Sequence, residues 1–229
     1  ELTKALSKFL FDEQKSLFRL DMSEYMEKHS ISKLIGSPPG YVGHESGGIL
    51  TESIRRKPYQ VILLDEIEKA DVEVFNLLLQ VFDEGRLTDS LGRSVNFKNT
   101  FIVMTSNIGA ELIEFTENQS NRIEIFTKEK ILQQVKSIFK PEFLNRIDEV
   151  IIFNRLTKSD IQKIVKLQIS ELQNILEKKK ISIDFNNALF DWLSEEGFNS
   201  EYGARPLKRV IQSQVIDKIA HIILKNNEI

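Results

Sequence analysis

Val61-Ile62-Leu63-Leu64-Asp65-Glu66 sets four bulky apolar side chains in a row and ends them on two adjacent carboxylates. An unbroken apolar run of this length fits a strand buried on both faces, as in a parallel sheet. Pro58 stops the helical segment that precedes it, and a helix predicted over Val72 to Phe82 follows, with Phe75, Leu78, Leu79 and Phe82 on one face. Further out, Leu17 to Leu20 and Thr100 to Thr105 read as two more strands and Val150 to Phe153 as a fourth. Strands separated by helical segments predict βαβ units, hence an α/β fold with a parallel sheet flanked by helices.

The remaining segments fill in around that sheet. Leu2, Ala5, Leu6, Phe9 and Leu10 recur at helical spacing. Residues 36–48, GSPPGYVGHESGG, are a Gly- and Pro-rich loop, and EGRLTDSLGRSVN reads as a polar turn region. Residues 110–127 are weakly patterned, fitting a loop with a short helix, and a helix carrying Ile131, Val135, Ile138 and Phe139 stops at Pro141. From Thr157 on the pattern is mostly helical, with Ile181 and Ile183 as a candidate short strand. A boundary near residue 155 therefore divides a large α/β subdomain, residues 1–155, from a small, mostly helical one, residues 156–229.

Composition narrows the function classes. Thirty-one Lys and Arg against 34 Asp and Glu give a net charge of -3, no basis for nucleic acid or an anionic membrane as partner. Lys178 to Lys180 reads as a solvated helix end. With no cysteine there is no disulfide framework and no thiolate chemistry. His29, His44 and His221 are too scattered for a metal cluster, and no apolar run reaches the roughly 18 residues of a bilayer span. The expectation is a soluble, cytoplasmic protein.

Several residues are candidates for chemistry, each with a plainer alternative. Asp65 and Glu66 stand at the carboxyl end of a strand, where α/β sheets bind ligands. One can hold Mg²⁺ through its water shell while the other orients or deprotonates an attacking water; the alternative is a charged surface turn. Asn107 follows the Thr100 strand and can position water or touch a phosphate oxygen, or simply cap a turn. Arg146, in PEFLNRIDEV, can stabilise charge on a transferring phosphoryl group, or form a surface pair with Asp148 or Glu149. Arg205 precedes Pro206 in GARPLKR, as a phosphate contact or an exposed helix entry. Tyr41 lies between glycines in PPGYVG, where an aromatic either grips something or folds back on the domain.

Together the stretches RLDMSEYMEKHSISKLIGSPPGYVG, VILLDEIEKA, TFIVMTSNIGA, FKPEFLNRIDEVIIF and YGARPLKR resemble, in order and over nearly the whole chain, the second ATPase module of the Clp/Hsp100 family of AAA+ unfoldases, most closely its ClpB branch. The resemblance implies a Walker B pair in which Asp65 binds Mg²⁺ and Glu66 activates water. It makes Asn107 sensor 1, Arg146 an arginine finger reaching into the neighbouring subunit's site, and Arg205 sensor 2, touching phosphate. Tyr41 and Val42 become the pore-loop pair that grips a threaded polypeptide, and Gly85 to Arg93 is similar to a second, more polar pore loop. ATP and Mg²⁺ follow as cofactors, with a homo-hexamer, unfolded or aggregated polypeptides and an Hsp70-type co-chaperone as partners.

Two departures qualify the match. No Gly-Lys-Ser/Thr triplet occurs in the 229 residues, so the family's P-loop and the strand before it are missing. The expectation is a fragment that begins just after that loop, stops short of the family's last strand, and by itself binds ATP poorly, because the loop's amides and lysine cradle the phosphates. In the family's sheet the missing strand lies between the strands at 150–153 and 101–106. Residues 108–145 also lack the Gly-Phe docking loop of relatives that feed a protease. The resemblance implies an ATP-driven disaggregase module that threads polypeptides through a hexameric pore. The rivals are a ClpA/ClpC-type unfoldase serving a protease, a catalytically silent assembly module, and a nucleic-acid motor, for which GYVGHESGG offers no Lys or Arg.

Overall fold

In the computed structural model, which describes residues 1–11, 16–41, 47–113, 125–198 and 203–226, the apolar run forms the middle of a sheet. Strand β1 (Leu17–Asp21), β2 (Gln60–Asp65) and β5 (Thr100–Met104) pair in the order β1-β2-β5, all parallel. Leu20 sits beside Leu64 and Asp21 beside Asp65 on one flank, and Leu64 beside Met104 on the other. Gln60 to Leu64 are all buried, as a strand covered on both faces requires.

Helices α1 (Leu2–Phe11), α2 (Ile31–Ile35), α3 (Ile49–Arg56) and α4 (Val72–Glu84) flank this sheet. Asp71 caps α4, accepting from the Glu73 amide at 2.9 Å, and Gly85 ends it in the left-handed region. Its Val74, Leu77, Leu78 and Val81 are buried. Phe75 and Phe82 meet Phe139 and Phe143, brought in by α5 (Ile125–Ile138) and α6 (Pro141–Leu144), with ring centroids 5.0–5.8 Å apart. The predicted polar turn region instead contains a hairpin of two short strands, β3 (Arg86–Thr88) and β4 (Ser94–Asn96), whose Leu87 and Val95 point into the core.

The expected fourth strand is absent among the described residues: 150–153 have no ladder partner, and Val150, Ile151 and Phe153 are exposed. An apolar run becomes a strand only where a neighbour takes its backbone hydrogen bonds, and no described strand lies alongside. Ile181 to Ile183 forms no strand either.

The described residues fall into two compact units, one holding Glu1–Leu112 with residues 125–152 and the other Ile113 with the described residues of 153–226. The second unit is helical, with α7 (Lys158–Glu177), α8 (Asn187–Glu196), α9 (Arg205–Ile211) and α10 (Asp217–Asn226), the last two joined by one π-helical turn. Thr157 and Asp160 form a capping box at the start of α7. Ile161, Val165, Ile169, Leu193 and Leu207 make its core, each fully shielded from water.

Candidate functional site

The carboxyl edge of the sheet gathers Asp65, Glu66, Thr105 and Asn107. Pairing of β2 with β5 makes this possible, because both strands end at the same level. Beyond the ladder, Thr105 donates its amide to the Leu64 carbonyl at 3.0 Å, and the Thr105 carbonyl accepts from Ile67 N–H at 3.0 Å. The two chains thus leave the sheet side by side.

Thr105 is the pin of this cluster. Its hydroxyl donates to Asp65 Oδ1, and Thr105 Oγ1 in turn accepts the Glu66 amide at 3.3 Å. The Glu66 backbone is left-handed, at φ 56° and ψ 51°, which costs a non-glycine residue roughly 1–3 kcal/mol and persists only where neighbours enforce it. That turn carries the Glu66 carboxylate to Asn107, whose Nδ2 approaches Oε1 at 3.5 Å. Glu68 holds the other end of the pair: its Oε1 accepts the Asn107 amide at 3.1 Å. Glu68 Oε2 is buried and has no hydrogen-bond partner.

Two cations balance the carboxylates. Arg19 of β1 meets Asp65 Oδ2 at 2.5 Å, and Lys69 meets Glu66 Oε2 at 2.5 Å. Hydrogen bonding to Glu66, and then its charge, raise the Lys69 ammonium above its ordinary pKa. On β1, Asp21 turns away to cap the following turn; its hydrogen bonds from the Ser23 hydroxyl and amide hold it below the usual carboxylate range. Among the described residues no group of three or more His, Cys, Asp or Glu could cage a metal. Mg²⁺ usually relies on one or two carboxylates, with phosphate oxygens and waters completing its shell. Asp65 and Glu66, adjacent carboxylates at the end of β2, fit that mode.

The other predicted residues stand on other elements. Arg146 follows α6 and pairs with Asp83 of α4, rather than with Asp148 or Glu149. Arg205 is the exposed first residue of α9 in the second unit. Tyr41 is 71% exposed, its amide closing a turn on the Pro38 carbonyl at 3.2 Å, so it does not fold back on the domain. Val42 lies outside the described residues. Sequence reading missed Arg19, Thr105 and Glu68. A basic residue inside the strand LFRLD was the available signal for Arg19, whereas Thr105 and Glu68 gave none without the register of β2 against β5.

Comparison with known proteins matches residues 1–150 to the AAA domain (Cdc48 subfamily) and residues 156–228 to the C-terminal, D2-small domain of ClpB protein. The chaperone protein ClpB of Rickettsia typhi is 53% identical over 224 residues, covering 98% of the chain and 26% of the relative. That of Prochlorococcus marinus is 55% identical over 226 residues, covering 99% and 26%. The chain therefore spans about a quarter of the length of these relatives. Among solved structures, a closed-state cryo-EM reconstruction of Hsp104 with ATPγS and FITC casein superposes with a TM-score of 0.86 at 40% identity, covering 98% of the chain and 39% of that one. An extended Hsp104–casein complex from S. cerevisiae gives the same score and identity, covering 99% and 39%. The chain belongs to the AAA family, and its two parts match the second ATPase module of ClpB chaperones.

Proposed function

We propose that the chain is the motor module of a ClpB-type disaggregase, hydrolysing ATP between subunits of a hexamer and drawing unfolded or aggregated polypeptide through the ring. The observation that carries this reading is the cluster of Asp65, Glu66, Thr105 and Asn107 at one sheet edge. In it Asp65, fixed by Thr105, would hold Mg²⁺, which when bound neutralises phosphate charge. Glu66, lifted from the edge by its left-handed turn, takes a proton from the attacking water, and Asn107 positions that water or a phosphate oxygen. Arg19 and Lys69 occupy the carboxylates in the meantime, so an arriving cation competes with both.

Arg146 reaches the neighbouring subunit's phosphates, which requires it to leave Asp83, a pairing between half-exposed side chains that costs little to break. Arg205 reaches phosphate from the small domain, the division near residue 155 serving as the hinge. Tyr41, exposed on a loop without Lys or Arg, grips polypeptide rather than nucleic acid, with Val42 next in sequence. The setting is the cytoplasm, with an Hsp70-type co-chaperone delivering substrate; no described helix is long and apolar enough to cross a membrane. The test is Tyr41→Ala in the ClpB-type protein that contains the chain. The number of substrate molecules unfolded per ATP hydrolysed should fall at least about tenfold; an unchanged ratio removes Tyr41 from the grip.

A further inference from the structure

Away from the sheet edge, the tip of the β3–β4 hairpin is tied to both roots of the segment that bears Tyr41. Asp89, its side chain fully buried, accepts from the Leu91 amide at 3.0 Å, the Arg93 amide at 2.8 Å and Arg93 Nε at 2.7 Å. The second arm of the same guanidinium contacts Asp89 again at 2.6 Å and also donates to Glu52 of α3. Arg93 thus forks between a carboxylate of the hairpin and one of the helix that begins at Gly48.

Backbone contacts follow the same line. At the near root, the Ser90 amide donates to the Ile35 carbonyl at 2.9 Å, and a methyl group at Gly36 would fall 2.1 Å from Ser90 Oγ. Gly36 takes φ 101°, which glycine alone tolerates readily. At the far root, a methyl at Gly47 would stand 2.9 Å from Glu52 Oε1 and 3.0 Å from an Arg93 nitrogen. One at Gly48 would lie 2.1 Å from the Leu34 carbonyl oxygen, so the two roots pass in direct contact. A surface ion pair would add little, but a bidentate guanidinium shared by two shielded carboxylates fixes geometry as well as charge.

We propose that Arg93 is a positioning residue that clamps the hairpin tip, through Asp89 and Glu52, to the α3 root of the Tyr41 segment while Ser90 ties the tip to the other root, so that hairpin and both roots shift as one body when the motor moves. The functional half rests on the threading reading above; the clamp itself does not. Hydrogen exchange in the protein tests it. Arg93→Ala should speed exchange at least about tenfold at Ser90 in the hairpin and also at Gly36 and Glu52 in the roots, leaving Val61 to Leu64 unchanged. Glu52→Gln should reproduce the effect at Ser90, across the gap, and Arg93→Lys should fall between. Acceleration confined to 86–96 overturns the clamp, because a residue that merely folds its own hairpin would act only there. In the assembled protein, Arg93→Ala should lower substrate unfolded per ATP, and an unchanged ratio overturns the shared movement. If Tyr41→Ala leaves that ratio intact while the exchange result holds, threading fails and the clamp stands.

Discussion

Thr105→Val removes the hydroxyl that pins Asp65 and Glu66 while keeping nearly the same volume. The lost bond to Asp65 ends on a carboxylate only 26% exposed, where a charged hydrogen bond contributes roughly 1.5–3 kcal/mol. Partial access to water argues for the lower half of that range, and the longer 3.3 Å bond from the Glu66 amide adds less than about 1 kcal/mol. The expected loss is about 2 kcal/mol, with no cavity to enlarge it, or roughly 4–8 °C in the melting temperature of a domain this size. Thr105→Ser keeps the hydroxyl and should lose less than half as much. Differential scanning calorimetry of the three proteins measures this directly. The pin also holds Glu66 in its left-handed turn, so ATP turnover should fall for the valine variant and largely persist for serine. A valine protein that melts with the wild type, or a serine protein as damaged as the valine one, refutes the account of the sheet edge.

Other outcomes follow from single contacts. Gly48→Ala, at an unstrained φ of -90°, places a methyl against the Leu34–Ile35 backbone and should cost roughly 1–3 kcal/mol in urea unfolding; a neutral result would mean that the roots do not touch. Leu193→Ala empties a fully buried position of the second unit and should cost about 2–5 kcal/mol. The single tryptophan, Trp192, lies next to it and makes fluorescence the readout, an unshifted midpoint counting against that core. Burial pushes the Asp89 carboxyl up, but hydrogen bonds from Arg93 and its charge outweigh burial and hold it below its ordinary value. The folded chain therefore binds this proton more weakly than the unfolded chain. Its contribution is complete above a pH of about 4 and is lost as pH falls below that. Asp89→Asn should flatten stability over that acid range, as urea titrations at several pH values would show.

The sheet was legible because Val61 to Leu64 states its burial outright and the Asp65-Glu66 pair marks its carboxyl edge. Val150 to Phe153 carries the same kind of apolar run and forms no strand, since composition cannot say whether a neighbour exists to take the ladder bonds. The β3–β4 hairpin escaped notice for the opposite reason: Arg86–Thr88 and Ser94–Asn96 each bury one side chain, too little for alternation to register. At the site, Asp65, Glu66 and Asn107 were candidates by residue type and by their place just after a strand. Their supports Thr105 and Glu68 become visible only when segments about 40 residues apart are set side by side, and Arg19, though a basic residue within a strand, shows its partner Asp65 only there. The left-handed turn at Glu66 is likewise invisible in one dimension, since glutamate has no preference for it. The Asp89–Arg93–Glu52 clamp joins residues from a turn and a helix 41 positions apart, and no local pattern links them.

The central claim is that Glu66 removes the proton from the attacking water. Glu66→Gln, in the ClpB-type protein that contains the chain, keeps the side chain's size and its reach to Asn107 but cannot accept that proton. Single-turnover kinetics with radiolabelled ATP should show nucleotide bound with near-normal affinity and hydrolysis slowed at least about a hundredfold. Hydrolysis at the wild-type rate would contradict the account at its root.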